Sequence, residues 1–330
     1  MPKASALTSI LAYAMIRATE ATAAAAERLV GAGDEAAADE AAASAMRAAL
    51  DAIDMDGAVV VGDGEAAGAD VLGAGRTVGS GKGAKIDIAL DALEGPTLAA
   101  KAMPNAIAVL AAAPRGGILR VPNIYMDKIA IGPGFAKDVI DLDAPPGDNA
   151  LKLAAAKGVD VRDLTVCVLD RPRHDRIIAD LRRVGARINL ISDGDVAGVI
   201  HTAYPETRID MYLGVGGAPE GVLAAAALRC VGGQIQARMA CRTEADRQKA
   251  ASAGIKDLTR RYELDDLVSS ETIFVATGVT GGDLLDGVRR VNGSTHTHSL
   301  MMTSFDGMIR TIRSVTPQAP PASVSKSPQR

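Results

Sequence analysis

Ile86-Asp-Ile-Ala-Leu-Asp-Ala-Leu-Glu-Gly-Pro-Thr97 is the stretch from which the chain can be read. Its apolar first half, Ile86 to Leu90, predicts a buried strand. Asp91, Glu94 and Gly95 follow, as though just past the strand's end. Carboxylates beside an apolar strand are costly unless something cationic meets them. The pattern points to a metal site at a strand end, on which other acidic clusters converge.

Working outward, Ala58–Val61 predicts a short strand that runs into Gly62-Asp-Gly-Glu65, a second case of apolar strand, acids and glycine. Further upstream, the Ala-rich Ser5–Gly31 is broken by Arg17, Glu20, Glu27 and Arg28, which predicts an amphipathic helix. Asp34 to Glu40 opens a second helix over Ala38–Ile53, with acids near its start, where the helix dipole favours them. Downstream, Asn105–Ala112 predicts a buried strand, and Ile118–Val121 with Tyr125–Ile131 a further strand pair. Asp143-Ala-Pro-Pro-Gly147 is the clearest linker and puts a domain boundary near residue 147.

The second half changes rhythm. Strands are predicted over Leu164–Leu169, Arg187–Ile191 and Ile209–Val215, and helices over His174–Val184, Gly194–Ala203 and Pro219–Val231. Alternation of this kind predicts an α/β fold with a parallel sheet covered on both faces. Ligands gather beyond the carboxyl ends of such strands. Those ends carry Asp170-Arg-Pro-Arg-His174, Ser192-Asp-Gly-Asp195 and Gly216-Gly-Ala-Pro-Glu220. One more strand is expected over Thr272–Thr277, and Leu300–Thr303 with Met308–Ile312 reads as a closing hairpin. The tail from Ser314, rich in Pro, Ser and Gln, is expected to be disordered.

Composition narrows the function. With 330 residues and 48% hydrophobic content, the chain can bury one large core or two ordinary ones. Aromatics are only 2% and the net charge is −4, so neither base-stacking platforms nor a basic footprint for nucleic acid is present. No stretch reads as a membrane span or a signal peptide. Cys167, Cys230 and Cys241 are odd in number and widely spaced, with no CxxC pair; they read as free thiols of a cytoplasmic protein.

Five carboxylates stand out by position: Asp39, Asp63, Asp91, Glu94 and Glu220, with Glu65 close behind. All-oxygen clusters with few His suit Mn²⁺ or Mg²⁺ rather than zinc. Each acid alone could equally cap a helix or line a turn. Arg171-Pro-Arg173, before a helix, would make a phosphate cradle, with a solvated basic loop as the plainer reading. Asp193-Gly194-Asp195 could accept from sugar hydroxyls or simply form an N-cap and turn. Tyr125 and Lys128 could reach a phosphate, or the tyrosine could pack in the core. Gly79-Ser-Gly-Lys-Gly83 lacks P-loop spacing, and Gly62-Asp-Gly-Glu-Ala-Ala-Gly68 has one residue too many for a dinucleotide fingerprint. His296 and His298 share a strand face without other ligands.

These residues together resemble the class II fructose-1,6-bisphosphatases. The matching stretches are Gly33-Asp34 with Ala38-Asp39, Val61-Gly-Asp-Gly-Glu65, Asp87 to Gly95, Tyr125-Met-Asp-Lys128, Ile131-Gly-Pro-Gly134, Arg171 to Asp175, Asp193-Gly-Asp195, Gly216 to Gly221 and Ala276 to Thr280. They occur in family order across residues 10 to 313. The resemblance implies the two-domain layered α/β fold of the lithium-sensitive sugar phosphatases, with a parallel-sheet-rich second domain. On this division, residues 1–147 form a metal-binding α/β domain and 148–313 a sugar-phosphate-binding one, whose last strands can pack back on the first; 314–330 form the tail.

The resemblance also implies roles. Asp39 and Asp63 would hold one divalent ion, Mn²⁺ or Mg²⁺, and Asp91, Glu94 and Glu220 a second. Asp91, Glu94 and Thr97 would be catalytic. Glu94, Gly95, Pro96, Tyr125, Arg171, Pro172, Arg173, Asp193, Gly194, Asp195 and Gly217 would hold a small sugar bisphosphate. Implied with these are a gluconeogenic role, a homo-oligomer, and no nucleic-acid or membrane partner.

The departures from the family pattern fall at the catalytic centre. Asp63 replaces a glutamate one methylene longer, so a ligand oxygen retreats by roughly an ångström. Pro96 stands where the family keeps a threonine, with Thr97 one residue later; Ala92 replaces a proline, Glu40 a glycine and Glu35 a lysine. The leading expectation is hydrolysis of the 1-phosphate of fructose 1,6-bisphosphate, with sedoheptulose 1,7-bisphosphate as a second substrate. The alternative, carried by Pro96 and Asp63, is a homologue that binds sugar phosphates with impaired turnover. An inositol-phosphate phosphatase shares the broad fold, but the Arg171 and Asp193 loops favour the sugar bisphosphate.

Overall fold

A computed structural model describes residues 6–62 and 71–317. Asp63 and Glu65 therefore lie outside the described residues, as does the chain beyond Pro317.

The first sheet begins with β1 (Met55–Val61), β2 (Thr77–Val78), β3 (Ala84–Glu94) and β4 (Ile107–Pro114). The chain then builds a second sheet from β5 (Tyr125–Ile131), β6 (Thr165–Leu169), β7 (Arg187–Ile191), β8 (Met211–Gly217), β9 (Gln234–Ala240) and β10 (Tyr262–Glu263). It returns to the first sheet with β11 (Ile273–Gly278), β12 (Arg289–Val291), β13 (Ser294–Thr303) and β14 (Met308–Pro317). The first sheet runs β12-β13-β11-β4-β3-β1-β2, with β14 on the outer edge of β13; the second runs β10-β9-β5-β8-β6-β7.

The helices are α1 (Ser9–Ala26), α2 (Glu35–Asp51), α3 (Pro96–Ala100), α4 (Pro146–Lys157), α5 (Asp175–Val184), α6 (Asp195–Ile200), α7 (Ala218–Val231), α8 (Glu244–Ser252) and α9 (Leu264–Leu267). Three apolar clusters stack them into layers. Met15, Met46 and Leu50 of α1 and α2 meet Ile86, Ile88 and Leu90 of β3. On the far face of that sheet, Ala89, Val109 and Phe274 meet the alanines of α7, which in turn meet Met126 and Tyr212 of the second sheet. Beyond lies the third cluster, in which Ile129, Ile131 and Val166 meet Leu153 and Leu181 of α4 and α5. The order is helix pair, sheet, helix, sheet, helix pair, a layered α/β architecture.

Four local expectations are corrected. Ile118–Val121 does not pair with the next segment: Ile118 bridges Val268, and the Leu119 N–H donates to the Leu267 carbonyl at 2.8 Å. Tyr125–Ile131 instead becomes β5, flanked by β8 and β9, both antiparallel to it. The second sheet is thus mixed, parallel only across β7, β6 and β8. Residues Ser314 to Pro317 are not tail but the end of β14, paired to Ser294–Thr297. Helix α2 starts at Glu35 rather than Ala38, since Asp34 caps it by accepting from the Ala37 N–H at 3.0 Å.

Candidate active site

The most consequential correction concerns β3. It does not stop at Leu90 but continues through Glu94, so both acids lie within the strand. Its pairing with β4 slips: Asp91 faces Val109 but Glu94 faces Ile107, three steps on one strand against two on the other. This is a bulge. In an unbroken strand, residues three apart point to opposite faces. Here Ala92 and Leu93 both bury in the cluster under α1 and α2, and Glu94 emerges on the face toward α6. Asp91 shares the parity of Ala89, which packs on that same face. The bulge therefore gives one side of the sheet two carboxylates that simple alternation would separate. An Asp91 side-chain oxygen also accepts from the Leu93 N–H at 3.0 Å, which pins the kink.

Gly95, with φ of 87°, turns the chain into α3, where Pro96 occupies the first helical position. Proline suits that slot because the N–H there has no helical partner. Thr97 follows, half-buried. Its hydroxyl makes no hydrogen bond to other described residues.

Glu94 is 3% exposed. Its Oε1 accepts from the Val196 N–H at 3.0 Å, in the first turn of α6. Its Oε2 is buried without a hydrogen-bond partner among the described residues. Burial, then the nearby charges of Asp195 and Asp193 and more weakly that of Glu220, push the Glu94 carboxyl well above its usual range. Four acids from three loci thus converge: Glu94 from the first sheet, Asp193 and Asp195 from the turn into α6, and Glu220 from the first turn of α7. Gly194, with φ of 86°, lets that turn pass close; a Cβ there would stand 3.6 Å from Glu94 Oε2.

Behind this cluster lies a cation that sequence reading assigned elsewhere. Lys128, on β5, was expected near a phosphate. It is buried, donates to Asp195 Oδ2 and, at 3.0 Å, to the Gly217 carbonyl. Tyr212 also donates to Asp195 Oδ2, at 3.4 Å. Asp195 is therefore spent inward on Lys128 and Tyr212, whereas Asp193 is half-buried and open to the site. Burial raises the Asp193 carboxyl, the Gly194 N–H and Arg171 oppose this, and Asp195 and Glu35 add to it. Glu35, one of the departures from the family pattern, thus adds an acid near Asp193. Asp39, also on α2, is buried and its carboxyl is raised by that burial. A Cβ on Gly217 would overlap the Glu220 carboxylate, so glycine leaves that carboxylate its place where β8 runs into α7.

A basic patch lies at the end of β5. Tyr125 pairs with Gly217 of β8 and Ala240 of β9. Arg173 and Arg242 both stand over its ring, at 4.9 and 4.8 Å from the centroid. Arg173 is fixed by donating from Nε to the Val215 carbonyl at 3.0 Å. His174 is not part of the charge. Its Nδ1 lies 2.7 Å from the Leu169 carbonyl and its Nε2 accepts from the Val215 N–H at 2.8 Å, so the ring is a neutral brace; burial lowers its pKa. Arg242 escaped sequence reading. It is a lone arginine ahead of a helix cap, with no motif around it, and only the neighbouring strands bring it to Tyr125.

The donor set fits divalent cations: a buried carboxylate oxygen without a partner, in a field of further carboxylates, is stabilised by positive charge. Among the described residues alone, no group of three or more His, Cys, Asp or Glu closes into a metal cage. The Asp63 loop lies outside those residues.

The chain also resembles known proteins along most of its length. Residues 9–316 match the family described as bacterial fructose-1,6-bisphosphatase, glpX-encoded. The fructose-1,6-bisphosphatase 1 class 2 of Escherichia coli K12 is 40% identical over 318 residues, covering 92% of this chain and 94% of that protein. The fructose-1,6-bisphosphatases class 2 of Escherichia coli O6:H1 and of Shigella flexneri match to the same extent. With a buried acid cluster and a paired-arginine patch on a shared strand end, and with this similarity along nearly its whole length, the chain belongs to the family of bacterial class II fructose-1,6-bisphosphatases.

Proposed function

We propose that the protein hydrolyses the 1-phosphate of fructose 1,6-bisphosphate to give fructose 6-phosphate and phosphate. The carrying observation is the Glu94 oxygen buried without a partner among Asp193, Asp195 and Glu220. A site of that kind serves a cationic, phosphate-handling centre better than it serves stability.

Asp91, Glu94 and Glu220 would hold one divalent cation, and Asp39 with Asp63 another, with Mn²⁺ or Mg²⁺ matching the hard oxygen donors. When bound, such cations neutralise phosphoryl charge and make water a better nucleophile. The protein's own residues do the rest. Arg171 and Arg173, with Tyr125, hold the phosphate that is not cleaved. Asp193 accepts from a sugar hydroxyl, Gly194 and Gly217 let the backbone approach, and Lys128, paired with Asp195, holds the α6 turn in place. Thr97 orients the attacking water for in-line entry at phosphorus. The bond from phosphorus to the sugar C1 oxygen breaks as the water oxygen bonds, and that sugar oxygen takes a proton.

We place the metal-binding half mainly at residues 1–147 and the sugar-phosphate half mainly at 148–313, with β5 contributing to the second sheet and β11 to β14 packing back on the first. We also expect a cytoplasmic homo-oligomer in gluconeogenesis, with sedoheptulose 1,7-bisphosphate as a further substrate. Among the described residues no helix is long and apolar enough to cross a membrane. No observation favours the impaired-turnover reading: Pro96 is accommodated at the start of α3. Phosphate release from fructose 1,6-bisphosphate in Mn²⁺, compared with a chelated control, tests the proposal. Equal release in the two would reject it.

A further inference from the structure

Arg173 and Arg242 carry two full positive charges over one half-exposed ring. Neither forms an ion pair with a described carboxylate, although most arginines of this chain do. Asp127, on the same strand as Tyr125, feels the charge of Arg242 but is not within ion-pair distance of it, and burial holds the Asp127 carboxyl above its usual range. Stacking over an aromatic ring orients a guanidinium while leaving its N–H edge free. Two such edges at one place form a receptor for a tetrahedral dianion.

The backbone at Arg242 is fixed to the same end. Its N–H donates to Asp246 Oδ2 at 2.9 Å, and Thr243 completes the capping box of α8. Arg242 is thereby held two residues past Ala240, the β9 partner of Tyr125. On the neighbouring strand, Tyr125 pairs with Gly217, whose carbonyl Lys128 engages beside the acid cluster. The order across this strand end is acid cluster, Gly217, Tyr125, Arg242. A substrate with phosphates at both ends would span it.

We infer that Arg242 binds the phosphate that is not hydrolysed and sets the preference for bisphosphorylated over monophosphorylated sugars, an inference that rests on the hydrolase reading above. Arg242 itself is exposed, so its replacement leaves the core untouched. The test compares wild type, Arg242→Gln and Arg242→Lys on fructose 1,6-bisphosphate and on fructose 1-phosphate, which lacks the distal phosphate. The ratio of kcat/KM for the bisphosphate to that for the monophosphate should fall by about 10- to 100-fold in Arg242→Gln, the size expected for a lost charge-assisted contact. Arg242→Lys should recover part of it, since charge returns without the planar fork. An unchanged ratio overturns the inference, as does an equal loss on both substrates, which would mean a structural role. Calorimetric binding of fructose 6-phosphate to wild type and Arg242→Gln separates the two readings. If wild type hydrolyses neither substrate but binds fructose 6-phosphate through Arg242, the hydrolase reading fails and the phosphate site stands. If the binding does not depend on Arg242, this inference fails.

Discussion

Replacing Glu94 with glutamine should stabilise the metal-free protein while abolishing activity. The reasoning starts from two oxygens: Oε1 accepts from the Val196 N–H and Oε2 has no described partner. Glutamine keeps an acceptor for Val196 and turns the other group into a donor facing Asp193, Asp195 and Glu220. An unsatisfied buried polar group costs about 1–3 kcal/mol, more when charged. The unfolding entropy expected for a chain of this size is about 0.7 kcal/mol per kelvin, so that gain raises Tm by about 1–4 °C. The pH dependence follows from the raised pKa. A carboxyl raised on folding binds more protons in the native state, so wild-type stability falls as pH climbs above the unfolded value of about 4.5. The advantage of Glu94→Gln should therefore be small at acid pH and grow toward neutrality. Added Mn²⁺ should reverse the order by raising the Tm of wild type only. Differential scanning calorimetry between pH 5 and 8, in chelator and in Mn²⁺, reads all of this. A Glu94→Gln protein that is less stable than wild type in chelator at pH 8 would refute the buried-charge account.

Three further outcomes are expected. Lys128→Met leaves the Asp195 carboxylate buried without its cation and should cost about 3–5 kcal/mol, seen as a lower urea midpoint, with Lys128→Met/Asp195→Asn recovering most of it; a midpoint within error of wild type would mean that the pair is not coupled. Gly217→Ala displaces the flexible end of Glu220, so stability should change by less than about 1 kcal/mol while kcat/KM drops about 10²-fold; full activity would show that the Glu220 position is not critical. Thr97→Val should lower kcat by about 10²-fold or more with Tm unchanged, and an unaltered kcat would remove Thr97 from the reaction.

The alternating elements of the second half were legible because short apolar runs alternate with helical ones, two of which, α5 and α7, stop at a left-handed glycine, Gly185 and Gly232. The acids at strand ends were legible as chemistry for the same reason: nothing apolar explains them. The bulge in β3 was not. Asp91 and Glu94 are three apart, which fits either a strand that has ended or a strand that has slipped, and only the pairing to Val109 and Ile107 separates these. The hint was Ala92-Leu93, two apolar residues in a row that need the same core. Lys128 was misplaced because a lysine near a strand end reads as a surface charge; its partner Asp195 lies 67 residues away. Tyr125 was named from the sequence, but what surrounds it comes from three strands, one of which delivers Arg242 across more than a hundred residues.

The middle layer has a consequence for which molecules fit. Helix α7 touches β3, β4, β11 and β13 on one side and β5, β8 and β9 on the other. Its central run, Ala224 to Ala227, offers a single carbon in each direction. Glu94 comes from the sheet on one side of this helix, and Tyr125, Arg173 and Arg242 are fixed to the sheet on the other. The helix is a gauge block: its narrow girth sets the separation between the acid cluster and the arginine patch. A ligand bridging the two would be selected by its length inside the core, by methyl groups that it never meets.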